Sequence, residues 1–254
     1  MGTVISIVNQ KGGVGKTTVT IELANNLAVY DKKVLVIDLD SQTNLSKYVD
    51  ADLTKPTIYS ALHGQVSVAQ SIQTVGRFDL IAGSEGLSKA DREFIGVDDV
   101  YLISDLVEYL PDYDYILIDT SPSRDILISM AYVASDYVII PTIADDGALF
   151  GVGKVYTDIK QLRDGKRQMS HAKVLSMILN DYHSSWNNDN QKLENIKLFS
   201  EQMEENPLVF TVRTFTGTKE CKSFKKSIMD YDKSSHAAHD FRDLTYELIE
   251  RMEA

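Results

Sequence analysis

Hydrophobic positions along the chain gather into short unbroken runs. Residues 4–8, 34–38, 78–82, 115–119, 137–141 and 174–179 are of strand length and rich in valine and isoleucine. An apolar run without alternation is the pattern of a strand buried on both faces, as in a parallel sheet covered by helices. Between these runs, apolar residues recur at helical spacing over 16–30, 101–110, 125–134 and 147–162. Two further helices are predicted at 190–205 and 236–252, the second placing Phe241, Leu244, Leu248 and Met252 on one stripe. Residues 41–75 are polar and weakly periodic, which predicts short surface helices between the second and third strands. The alternation of strand with helix predicts an α/β fold, a doubly wound and mostly parallel sheet with helices on both faces. No internal repeat or Pro/Gly/Ser-rich linker interrupts it, so the expectation is a single domain over residues 1–254.

Composition narrows the classes of function. With 43% hydrophobic and 25% charged residues in 254, the chain is neither disordered nor collagen-like. Cys221 stands alone, which excludes an internal disulfide, a CxxC redox pair or a cysteine-ligated cluster and points to a reducing cytoplasm. The apolar stretch at the N-terminus is far shorter than a signal peptide core or a membrane span, so a cytoplasmic protein that does not cross a membrane is expected. The net charge of −11 repels a polyanion on average. Two runs reverse that sign locally: residues 160–173 hold five Lys/Arg and one Asp, and residues 211–233 hold six Lys/Arg and three acids. Each reads either as a solvated face or as a contact for an anionic partner.

The segment Asn9-Gln10-Lys11-Gly12-Gly13-Val14-Gly15-Lys16-Thr17-Thr18 lies between a buried strand and an amphipathic helix. Glycines there allow successive backbone amides to converge on phosphate oxygens, and the helix that follows adds unpaired N–H groups and the positive end of its dipole. Lys16 supplies a charge toward the terminal phosphates, and the Thr17 hydroxyl is placed to ligate Mg²⁺. The usual GxxxxGK[ST] spacing requires glycine where this chain has Gln10. The second strand ends in Asp38-Leu39-Asp40, and the run 115–118 ends in Asp119. Carboxylates at the carboxyl ends of parallel strands face the crevice where ligands sit. The alternative for Asp40 or Ser41 is to cap the next helix, and Asn180, at the end of the run 174–179, could equally make a turn.

The string KGGVGKTT resembles the deviant Walker A motif of the ParA/MinD family of P-loop ATPases, whose additional lysine is matched by Lys11. The resemblance extends through nearly the whole chain. It implies that Gly12, Gly13, Val14, Gly15, Lys16, Thr17 and Thr18 hold ATP, with Mg²⁺ held by Thr17 and Asp119. It also implies that Lys11 reaches the nucleotide of a facing subunit, in the manner of an arginine finger supplied in trans. Asp40 would position the attacking water, although Ser41 replaces the proline usual after it, and Ser121 departs by one residue from the family's DxPPS pattern. Asn180 would contact adenine.

Within the family, the acidic ending ELIERMEA is unlike a basic membrane-targeting helix, and one cysteine cannot support an iron–sulfur cluster. Scattered tyrosines do not form the C-terminal cluster of a bacterial tyrosine kinase. The branch that remains is the ParA-type partition ATPase, a short form without an N-terminal DNA-binding extension. It implies an ATP-dependent homodimer that binds nonspecific DNA on the nucleoid and is released by slow hydrolysis, which a centromere-binding partner protein stimulates. Arg213, Lys219, Lys222, Lys225 and Lys226 are the candidate phosphate contacts. The competing expectations are a positioning ATPase for a protein cargo, with no DNA binding, and an ATP-dependent metabolic enzyme or kinase.

Overall fold

The apolar runs assemble into the centre of one sheet in a computed structural model that describes residues 2–253. The first half of the chain gives β1 (Thr3–Ile7), α1 (Lys16–Val29), β2 (Val34–Leu39), α2 (Asn44–Tyr48), α3 (Ile58–Leu62), β3 (Ile72–Val75), β4 (Phe78–Ile81) and α4 (Ala90–Glu93). Then come α5 (Leu102–Glu108), β5 (Tyr115–Thr120), α6 (Ile126–Ala134), β6 (Tyr137–Ile143) and α7 (Ala148–Arg163). The remainder gives β7 (Lys173–Tyr182), α8 (Asn187–Glu201), β8 (Leu208–Arg213), α9 (Thr218–Phe224), α10 (Ile228–Tyr231) and α11 (His236–Glu253).

The strand order is β3-β4-β2-β5-β1-β6-β7-β8, parallel throughout except for the β3–β4 hairpin. Two of these strands differ from the sequence expectation. Residues 72–75 form an antiparallel edge strand where only surface helices were predicted, and residues 208–213 form the opposite edge where a basic run begins. Neither is buried on both faces, so neither carries an unbroken apolar signal.

Successive residues of the central strands supply opposite layers. Tyr115 and Leu117 pack with Leu23 and Leu27 of α1 and with Phe241 and Leu244 of α11. Ile116 and Ile118 pack with Ile58 of α3, Ile103 of α5 and Met130 of α6. The third cluster joins Val138 and Ile140 of β6 to Val152 and Val155 of α7 and Ile196 of α8. This two-sided burial produces the doubly wound architecture expected from the pattern. Among the described residues, no helix is long and apolar enough to cross a membrane.

Register then determines where the charged residues emerge. Asp119 on β5 is aligned with Ile7 on one side and with Asp38 on the other. The carboxyl end of β1 therefore opens into the glycine-rich segment directly beside two acidic strand ends.

Candidate functional site

The segment after β1 turns sharply through Gly13 (φ +76°) and Gly15 (φ +91°), backbone conformations that a side chain rarely adopts. Gly15 is the residue from which α1 springs, so the unpaired amides of the first helical turn point into the turn before it. The loop is braced from behind. Asn180 Nδ2 donates to the Val14 carbonyl at 2.8 Å, Asn9 Nδ2 donates to the Pro141 carbonyl at 2.8 Å, and the Lys11 amide donates to Asn9 Oδ1 at 2.9 Å.

Lys16 is 7% exposed, and among the described residues its ammonium donates only to neutral carbonyls, those of Asn9 (3.0 Å) and Lys11 (3.3 Å). Burial pulls its pKa down from the ordinary lysine value, and the charges of Asp119 and Asp40 oppose that without reversing it. A buried ammonium without a paired carboxylate is a cation poised for an anionic ligand.

Asp119 is fully buried and accepts hydrogen bonds from the hydroxyls of Thr17 (2.8 Å) and Thr20 (3.2 Å). Burial, reinforced by the charge of Asp38, pushes its carboxyl up to about 8, against the pull of Thr17, Lys16 and Thr20. An oxygen donor set of one threonine hydroxyl and one carboxylate suits a hard cation that keeps waters, as Mg²⁺ does. Asp38 has a different task. Its oxygens accept from the Ser46 amide (3.0 Å), the Ser46 hydroxyl (2.6 Å) and the Asp40 amide (3.0 Å), which ties the loop after β2 to the start of α2.

Asp40 faces the same cavity as the phosphate-loop residues, with one oxygen accepting from the Gln42 amide at 2.9 Å and the other from Asn44 Nδ2 at 3.4 Å. It thus orders the turn before α2 while lining the site, but the N-cap position of α2 is Thr43, so neither Asp40 nor Ser41 caps that helix. Asn180 also lines the cavity, but one of its amide hydrogens is committed to the loop backbone, leaving its carbonyl oxygen as the freer group.

Lys11 stands at the rim, its ammonium ion-paired with Asp145 in the segment after β6 and both side chains still a third or more exposed to solvent. Sequence reasoning missed Asp145, because nothing in the local pattern marks an acid 134 residues away as the partner of that lysine.

The cavity measures about 1060 Å³ and extends from Gly12–Thr18 past Asp40 to Lys47, Lys219, Lys222 and Lys225. Lys226 is exposed nearby, its carbonyl accepting from the Tyr48 hydroxyl at 2.7 Å. Arg213 differs from these lysines. Its side chain also lines the cavity and stays 41% exposed, but its guanidinium is paired bidentately with Asp240 and contacts His236, a tighter engagement than the 3.8 Å pairing of Lys225 with Asp50. Lys47, on α2, joins the basic surface although its sequence context gave no indication of it. In the other basic run, Lys160 and Arg163 are engaged by Asp164, Glu204 and Glu205, and none of residues 160–173 lines the cavity.

Residues 2–171 match the family model described as an AAA domain. The chromosome partitioning protein ParA of Myxococcus xanthus is 31% identical over 99% of this chain and 89% of its own length. A plasmid partition protein from Borrelia burgdorferi has a similar structure, with a TM-score of 0.73 and 26% identity over 92% of this chain and 99% of that one. The fold is also that of cobyrinic acid a,c-diamide synthase from Mycobacterium smegmatis, solved with an ATP analogue and magnesium, at a TM-score of 0.82 and 22% identity over 100% of this chain and 97% of that one. The sequence match across nearly its full length, together with the strand–loop–helix geometry around Lys11 and Lys16, places this chain in the family of ParA-type partition ATPases.

Proposed function

We propose that this chain is an ATP-driven DNA partition switch. With ATP and Mg²⁺ bound, two copies face one another and hold DNA without reading its sequence, and a centromere-binding partner protein stimulates the slow hydrolysis that releases it. The observation that supports this reading best is continuity: the cavity holding Lys16 and the glycine turn runs directly into a rim of Lys47, Lys219, Lys222 and Lys225. A nucleotide and a polyanion would thus engage adjoining parts of one surface.

The residues divide the work as follows. The amides of Gly12–Thr18 and the ammonium of Lys16 bind the phosphates, exchanging the neutral carbonyls of Asn9 and Lys11 for charged oxygens. Thr17 and Asp119 would hold Mg²⁺, which when bound supplies charge neutralisation at the transferred phosphoryl group. Asp40 orients the attacking water and accepts its proton. Lys11 leaves Asp145 and crosses to the phosphates of the facing copy, where its charge acts at the transition state.

Co-sedimentation with duplex DNA in ATP against ADP, over a salt series, tests the reading. Binding should require ATP and weaken with a log–log slope of about −0.9 for each phosphate neutralised. Replacing Lys222, Lys225 and Lys226 together by alanine should flatten that slope and leave ATP affinity unchanged. The second reading, positioning of a protein cargo by the same ATPase cycle, draws on the net charge of −11 and on the internal pairing of Arg213. ATP-dependent dimers that ignore DNA at low salt would favour it.

A further inference from the structure

Gln10 stands where the ordinary phosphate-loop pattern has glycine, and the nucleotide site gives it no task. Its side chain turns away from the cavity toward the middle of α7, where Nε2 donates to Asp158 Oδ2 at 2.6 Å. The other oxygen of that carboxylate accepts from Arg124 at 2.7 Å. Arg124 lies in the segment between Asp119 and α6, where Ser121, Ser123 and Asp125 are hydrogen-bonded to one another. Asp158 is 13% exposed at the side chain, so water screens these contacts only in part. Gln10 Oε1 and the hydroxyl of Tyr132 on α6 are both buried without a partner among the described residues. The charges acting on Tyr132 are those of Asp158 and Arg124, which places all three side chains in one neighbourhood. Burying a glutamine with half its amide unsatisfied costs stability, so the half that is satisfied requires an explanation.

We propose that Asp158 is a positioning residue that clasps Gln10 and Arg124, so that the peptide carrying Lys11 and the loop following Asp119 move as one unit. The inference rests on the reading of Lys11 and Asp119 as reacting parts of an ATPase. Helix α7 and the turn before it meet the phosphate loop at three points. Asp145 before its N-terminus holds the Lys11 ammonium, Gly151 lies so close to Asn9 that an added Cβ would sit 3.2 Å from Oδ1, and Asp158 holds Gln10. Asp158 touches no residue that binds phosphate, and its effect is on where Lys11 and the post-Asp119 loop sit relative to each other. A displacement of about 1 Å between reacting groups is enough to slow an enzyme by an order of magnitude or more.

The test compares Asp158→Ala, Asp158→Asn, Arg124→Ala and Gln10→Ala in the full chain, with steady-state ATP hydrolysis, binding of a fluorescent ATP analogue, and hydrogen exchange of the nucleotide-free protein. Asp158→Ala should lower kcat by about tenfold with KM within about twofold of wild type. Asp158→Asn should recover most of the rate, because Asn Oδ1 still accepts from Arg124 and Asn Nδ2 donates to Gln10 Oε1 once that amide turns over. Adding Arg124→Ala or Gln10→Ala to Asp158→Ala should cost nothing further. Arg124 is 61% exposed at its side chain, so its variant keeps the test open should Asp158→Ala fail to fold. Unchanged kcat in both Asp158→Ala and Arg124→Ala, a rise in KM matching the fall in kcat, or an asparagine variant as slow as the alanine one would overturn the clasp. If the wild-type chain neither binds nor turns over ATP, the ATPase reading fails by itself, and hydrogen exchange judges the clasp separately. Amides of residues 10–13 and 121–125 should exchange faster together in Asp158→Ala, and unchanged exchange in either segment would overturn the inference.

Discussion

Gly15→Ala tests the physical reason for the phosphate loop's shape. At φ +91° a side chain meets its own backbone, which costs about 1–2 kcal/mol. The new Cβ would also lie 2.7 Å from Asn180 Nδ2, closer than the two atoms can approach. Asn180 must then withdraw from the Val14 carbonyl, and losing that 2.8 Å hydrogen bond costs about 1 kcal/mol more. The single variant should therefore lose about 2–3 kcal/mol. Asn180→Ala should lose about 1 kcal/mol by leaving the carbonyl without its donor. The two changes should not add: Gly15→Ala with Asn180→Ala should be no less stable than Gly15→Ala alone, because the hydrogen bond is already gone. Urea unfolding of the wild type and the three variants measures this directly, giving a coupling of about 1 kcal/mol in the double-mutant cycle. Strict additivity, or a Gly15→Ala variant as stable as wild type, would refute the claim that Asn180 props the loop through a contact only glycine permits.

Asp40→Ala should keep binding ATP and DNA while losing hydrolysis by at least about a hundredfold, and a variant with ordinary turnover would remove Asp40 from the reaction. Lys11→Ala should bind the nucleotide as a single chain yet fail to dimerise, which analytical ultracentrifugation with a non-hydrolysable analogue checks. The Asp119 carboxyl, raised to about 8, gives a signed pH dependence. The folded protein holds that proton more tightly than the unfolded chain, with an ordinary carboxyl near 3.9, so the contribution favours folding at low pH and fades as pH climbs toward about 8. Without divalent cations, the melting temperature of Asp119→Asn should gain on wild type between pH 6 and pH 8.5, and a constant difference would contradict the burial argument.

The centre of the fold was legible because its strands are buried on both faces, which leaves continuous runs such as 115–118 and 174–179 in the sequence. The edges were not. In β8 five of six residues are only half-buried, and its final residue, Arg213, reads as part of a basic run until Asp240 is seen beside it. The phosphate loop announced itself through glycine spacing, since a turn with positive φ at Gly13 and Gly15 accepts few other residues. Asp119 was readable as the end of an apolar strand. Its pairing with Thr17, 102 residues distant, depends on sheet register, as does its alignment with Asp38. Asp145 and Asp158 were invisible for the same reason: each acts on the loop from α7 or the turn before it, and only folding brings them there. Of the two basic runs, structure distinguishes what composition could not, because acids at 204 and 205 occupy Lys160 and Arg163 while Lys219, Lys222 and Lys225 open onto the cavity.

The account depends most on Lys16 serving as a buried cation for a nucleotide that joins two chains. Light scattering coupled to size-exclusion chromatography, with Mg²⁺ and AMPPNP, addresses it in one measurement. The wild-type chain should double its molar mass on addition of the analogue, and Lys16→Ala should remain at the mass of one chain under the same conditions. A wild-type protein that stays single, or a Lys16→Ala variant that pairs as readily, would contradict it.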